Sequence, residues 1–164
     1  MGLSAIGRLR KNHAIEHATL HLLDRGSSRP RLAARSDWEG ISFYGQVDAP
    51  TLERAIRAAI SALSHGEARL AVHPRCGSIP SVAGLLSLLA LLCVHPADED
   101  GHRLGSWAST ALAVSSAVLL ARPLGEALQA RVLTDPQPAG ARLEVLHVGQ
   151  LGPLAIHRAF IGHP

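Results

Sequence analysis

The chain has 164 residues, of which 47% are hydrophobic and 3% aromatic, with 16 Lys and Arg against 13 Asp and Glu for a formal charge of +3. That length suffices for one domain with a true core, or for a small domain plus a membrane hairpin. So small a charge, with so few aromatic rings to stack on bases, argues against nucleic acid as a partner.

In chain order, residues 6–23 read as a helix, ended by Asp24-Arg25-Gly26-Ser27. On it His13, His17 and His21 recur every four residues and form one stripe, with Glu16 beside His13. Residues 31–35 and 41–44 have strand character, and Asp37-Trp38-Glu39-Gly40 supplies the turn of a β-hairpin. Asp48-Ala49-Pro50 starts a second helix that runs to about Ser64, with Leu52, Ala55, Ile56, Ala59, Ile60 and Leu63 as its apolar face. Gly66 ends it, and 68–72 is expected to be a third strand leading into His73.

From Cys76 through Ala97 there is no charged residue, and Leu104 to Ala121 is a second uncharged stretch. Each approaches the roughly 17–25 residues of a spanning helix, and the connector between them is short and acidic. A two-helix transmembrane hairpin follows, at about 79–95 and 104–121, with small residues such as Gly105, Ala108 and Ala117 allowing close packing. The basic residues lie almost wholly outside the connector, which places both termini in the cytoplasm of a bacterial inner membrane. Ser81, Ser87, Ser106, Ser109, Ser115 and Ser116 dilute the runs, so a buried helix pair in a soluble protein is the alternative. After the Pro/Gly-rich 134–141 segment, 142–148 and 154–161 read as paired strands.

The expected architecture is α+β: a small α/β domain carrying the hairpin. It divides into an N-terminal domain (1–75), the hairpin (76–122) and a C-terminal linker and β-hairpin (123–164). The N-terminus lacks a signal-peptide core, so the mature and full-length chains are expected to coincide. Two cysteines, Cys76 and Cys93, make no disulfide framework, and a reducing compartment or a metal role fits them better.

Two motifs carry chemistry. His13-Ala-Ile-Glu16-His17 has the H-x-x-E-H pattern of inverted zincins. Two imidazoles one helical turn apart can hold Zn²⁺ or another divalent transition metal, and a neighbouring carboxylate can take a proton from the attacking water. For the usual downstream glutamate the chain offers only Glu39, Glu53 and Glu67 before the apolar runs, and Glu39, in a turn, and Glu53, on an exposed helix face, are unattractive. His73-Pro74-Arg75-Cys76-Gly77 offers His73 and Cys76 instead. Read blandly, His73-Pro74 is only a turn and Cys76 a small apolar filler.

The pair of motifs resembles the YqhQ-like family of bacterial membrane proteins, whose pattern is close to HGAEHKTI followed by HPRCGTSF. It is also similar to a smaller family of uncharacterised cyanobacterial and bacterial proteins, through Phe43-Tyr44-Gly45 and Leu70-Ala71-Val72-His73. The likeness covers roughly residues 11–95, with Ala18 where the larger family has Lys and Ser78 where it has Thr. It implies a metal and a membrane, with lipid and a membrane-protein or peptide partner, but no substrate.

Two versions of the site stay open. With His13, His17 and His73 as ligands, a fourth position remains for water, Glu16 is the general base, and the protein is a hydrolase or peptidase. With Cys76 also bound, the shell is closed, the ion is structural, and Glu16 orients an imidazole. The protein is then a metal-stapled membrane module, an assembly factor or adaptor. His21 is a further ligand candidate or a solvent-facing residue. His95 and His102 are expected at the interface, and His147, His157 and His163 on the surface. Cys76 beside a histidine is an alternative nucleophile.

Overall fold

The computed structural model describes residues 4–25, 31–94, 103–138, 140–152 and 154–164. Contacts divide the chain into two units, Met1–His73 with Gln129–Pro164, and Pro74–Leu128.

The first unit opens with α1, Ala5–Arg25. Ser4 caps it, accepting from the Gly7 amide at 3.1 Å through its hydroxyl. Ala14, Ile15, Ala18 and Leu23 give α1 a buried face. The hairpin β1 (Ala33–Ser36) and β2 (Gly40–Tyr44) turns at Asp37, whose Oδ1 accepts from the amides of Glu39 and Gly40 at 2.9 and 3.1 Å. Helix α2 (Ala49–Ser64) begins at the Asp48 cap, which accepts from the Thr51 amide at 2.8 Å. It buries Leu52, Ala55, Ile56, Ala59 and Leu63, as its periodicity implies.

Strands β3 (Arg142–Leu151) and β4 (Leu154–Gly162) complete a four-stranded antiparallel sheet of order β1-β2-β4-β3. Gly40 on β2 is forced by close approach, because a Cβ there would lie 1.9 Å from the Ala159 carbonyl oxygen of β4. Ile41, Phe43, Ala159 and Ile161 join the buried residues of α1 and α2 in one core.

The expected third strand at 68–72 is instead a 3-10 turn, Ala68–Ala71. Leu70 and Val72 donate to Glu67 and Arg69 three residues back, and Leu70 and Ala71 are buried in the core. Burial of an apolar pair is common to both conformations, so the sequence pattern could not separate them.

The second unit holds α3 (Ser78–Val94) and α4 (Arg103–Leu128). Helix α4 runs beyond the expected end at 121, through Pro123, with an Arg122–Glu126 ion pair of 3.0 Å across one turn. Gly125 lets α3 approach, since a Cβ there would lie 2.8 Å from Ile79 Cγ1. Among the described residues one helical stretch, Trp107–Leu133, is long and apolar enough to cross a membrane, while Ser78–Cys93 is apolar but shorter. Among the described residues one helix, not the expected two, meets that test of length and composition. His95 and His102, assigned to the interface by sequence, lie outside the described residues.

Candidate metal centre

The α1 stripe packs against two irregular stretches that present backbone carbonyls. One is the 3-10 turn before His73. The other is a wide π-type turn at Gln129–Leu133, where the Thr134 amide and hydroxyl both bond the Gln129 carbonyl, at 3.0 and 2.9 Å. The second stretch is tied to the start of α1. The Arg10 guanidinium donates to the carbonyls of Arg131 and Thr134, and buried Lys11 pairs with Asp135 at 2.8 Å. Desolvation pushes the Asp135 carboxyl up, but the Lys11 hydrogen bond, the Gln137 amide and the charges of Lys11 and Arg10 outweigh it and leave it lowered.

The imidazoles are oriented by these carbonyls. His17, 1% exposed, donates from Nδ1 to the Ala71 carbonyl at 2.7 Å. Its Nε2 is buried without a hydrogen-bond partner and, with Nδ1 protonated, carries the lone pair of a neutral ring. His13 Nδ1 faces the Leu133 carbonyl at 3.3 Å, and His21 Nε2 donates to the Val72 carbonyl at 2.8 Å. In His17 one ring nitrogen is committed to a carbonyl and the other is left to bind, the arrangement that metal-ligating histidines adopt. The His13 and His17 ring centroids are 4.3 Å apart.

His13, His17 and Cys76 form a group that could hold a metal ion. Cys76 is three residues beyond His73 and is in no disulfide. His73 and Glu16 are not members of that group. The buried His73 ring lies 5.8 Å from His17 and 4.6 Å from His21, with Nε2 3.7 Å from an Asp24 carboxylate oxygen. Glu16 is buried and accepts a hydrogen bond from the Ser36 hydroxyl on β1.

Sequence reasoning missed Gln129, which is fully buried and whose Oε1 accepts from the His73 amide at 2.8 Å. No motif marks it. Asp24 was taken only as part of a helix stop, though its place three residues after His21 was a usable signal. Of the three histidines expected on the surface, His147 is exposed but His157 is only 2% exposed, in the strand pairing beside Phe43. His163 is half-buried against Asn12 at 2.8 Å, and burial, with Arg8 and Lys11 nearby, lowers its pKa although Glu144 opposes them. Trp38 and Trp107 are both exposed.

A family model described as a domain of unknown function (DUF6391) matches residues 8–146. The chain belongs to this family. The matched stretch takes in both motifs and every histidine of the α1 stripe. The chain is also similar to an uncharacterized protein of Picosynechococcus sp. (strain ATCC 27264 / PCC 7002 / PR-6), 36% identical over 95 residues, covering 52% of this chain and 46% of that protein. The chain thus spans about half the length of that curated relative. No solved structure matches the chain.

Proposed function

We propose that this family member is a membrane-associated Zn²⁺ protein acting as a metal-dependent hydrolase on peptide substrates. The observation that carries the reading is His17. A buried imidazole nitrogen without a partner, on a ring whose other nitrogen is fixed by the Ala71 carbonyl, is costly unless an electrophile occupies it. His13 and Cys76 complete a three-ligand set of borderline-soft donors that suits zinc and leaves a fourth position open. A bound zinc supplies Lewis acidity and brings water into the range where it ionises near neutral pH. Glu16, one residue before His17, takes the proton at its carboxylate, and the Ser36 hydroxyl orients that group.

Membrane association rests on the apolar surfaces of α3 and α4, where Leu92, Leu112 and Leu119 are 69%, 70% and 77% exposed. Lipid is the partner such surfaces fit, together with a membrane-protein or peptide substrate. The charge asymmetry of the sequence favours an inner-membrane protein with cytoplasmic termini. The paired motifs support kinship with the YqhQ-like proteins.

A second reading, a structural ion that staples a membrane adaptor, is favoured by the hydrogen bond that already engages Glu16 within the core. Glu16→Gln separates the two. Under the hydrolase reading it retains zinc and loses cleavage of a fluorogenic peptide library by at least about 100-fold, a typical general-base contribution. Wild-type protein that binds zinc but cleaves nothing in the library would favour the staple.

A further inference from the structure

We propose that the first two turns of α1 form a second lipid contact, one that docks the first unit on the surface of an anionic bilayer. This rests on the membrane reading above, which drew only on α3 and α4, and it is independent of the metal.

The histidine stripe of α1 continues toward the N-terminus as apolar surface. Four residues before His13 is Leu9, and three before that is Ile6, so both lie on the side of the helix that carries the histidines. They are 38% and 72% exposed, whereas Ala14, Ile15 and Ala18 of the same helix are fully buried in the core. Beside them stand Arg8, Arg10 and Lys11, and the chain has no carboxylate before Glu16. Arg8 is exposed, and among the described residues it makes no ion pair.

The occupant of this face follows from where the chain leads. The stretch long and apolar enough to cross a membrane ends at Leu133, and its last five residues, Gln129–Leu133, belong to the first unit. Those residues are fastened to the start of α1. The Arg10 guanidinium donates to the carbonyls of Arg131 and Thr134 at 3.3 and 3.1 Å, and the Asp135 amide donates to the Arg10 carbonyl at 3.1 Å. A bilayer that contains the stretch therefore brings its headgroup layer to Arg10. Exposed Arg131 and Val132, the latter at 54%, repeat there the pairing of basic and apolar side chains. Arg8, Arg10, Lys11 and Arg131 face a single nearby carboxylate, Asp135, which Lys11 already engages at 2.8 Å. Apolar side chains that enter the acyl boundary, flanked by cations that meet phosphates, are the two parts of an interfacial helix. The surplus positive charge selects a negatively charged headgroup layer. His13 follows Leu9 by one turn, about 6 Å along the axis, so docking turns the histidine stripe toward substrates held at the membrane.

Hydrogen–deuterium exchange of the full chain in nanodiscs tests this, with phosphatidylcholine alone set against an equal mixture with phosphatidylglycerol. Amides of residues 5–9 should exchange more slowly in the anionic discs, and the difference should vanish at about 1 M salt, where screening acts within about 3 Å. A basic group at an anionic surface multiplies the docked-to-free ratio by about five, so Arg8→Gln and Arg131→Gln should each reduce the protection by about that factor. Ile6→Ser should lose it as well, while amides of α2 exchange as in wild type. Equal exchange of residues 5–9 in the two discs overturns the proposal, as does anionic protection that survives both in the double Arg→Gln variant and in Ile6→Ser. Incorporation into the neutral discs checks the membrane reading separately. A chain that enters them but shows no anionic protection refutes the docking alone, and a chain that enters neither disc refutes the membrane reading and the docking with it.

Discussion

Gln129→Met removes the side-chain oxygen that accepts from the His73 amide while keeping length and approximate volume. Gln129 is fully buried, and its Oε1 accepts from the His73 amide at 2.8 Å. A thioether is at best a weak acceptor, so the substitution leaves a buried N–H without an adequate partner, at a cost of about 1–3 kcal/mol. For a chain of this size, about 1 kcal/mol moves the unfolding temperature by roughly 2–4 °C, so a cost near 2 kcal/mol lowers it by about 4–8 °C. Thermal unfolding of the detergent-solubilised protein, followed by circular dichroism, reads this directly. Gln129→Glu keeps the acceptor but buries a carboxylate, so its defect should shrink as pH falls and the group becomes neutral. A Gln129→Met variant that melts within about 1 °C of wild type would refute the reasoning that this amide fixes His73.

Gly40→Ala should cost about 3 kcal/mol or more by forcing β2 from the Ala159 carbonyl, seen as a lowered denaturation midpoint; an unchanged midpoint would contradict the strand register. Gly125→Leu should loosen α3 from α4 by driving a side chain into Ile79, measured as faster proteolysis between the helices than in wild type. The Asp135 carboxyl is lowered in the folded state, so the stability it contributes is present above about pH 4 and lost as pH falls through its folded value. Asp135→Asn should therefore be less stable than wild type at pH 7, with the gap closing in acid. His163 is also lowered, but as a base: the folded state binds fewer protons, stability falls as pH drops below about 6.5, and His163→Gln should flatten that slope.

Much of the fold was legible because local rules and burial agree. The α1 stripe, the Asp48 cap and the Asp37 turn are set by side chains that act within a few residues, and the structure uses each of them. Helix α4 ran past its expected end because the uncharged stretch closes at Arg122, whereas that exposed charge pairs with Glu126 one turn on and the helix continues through Pro123. The 3-10 turn before His73 was read as a strand because its carbonyls are satisfied by His17 and His21 on a helix more than fifty residues away. That pairing is tertiary, and nothing local announces it. The same holds for Gln129 and His73, and for the buried His157, whose strand neighbours come from both sides in the sheet. At the candidate site the ligand types and their helical spacing were readable, while the choice of partner for His73 was not.

The central claim is that His17 Nε2 faces a metal ion. Elemental mass spectrometry of the zinc-loaded, detergent-purified chain, wild type beside His17→Ala and Cys76→Ser, tests it most directly. Both variants should carry one zinc fewer per chain than wild type while keeping their helical signal. Wild-type protein without zinc after loading, or a His17→Ala variant with the wild-type metal content, would contradict the account.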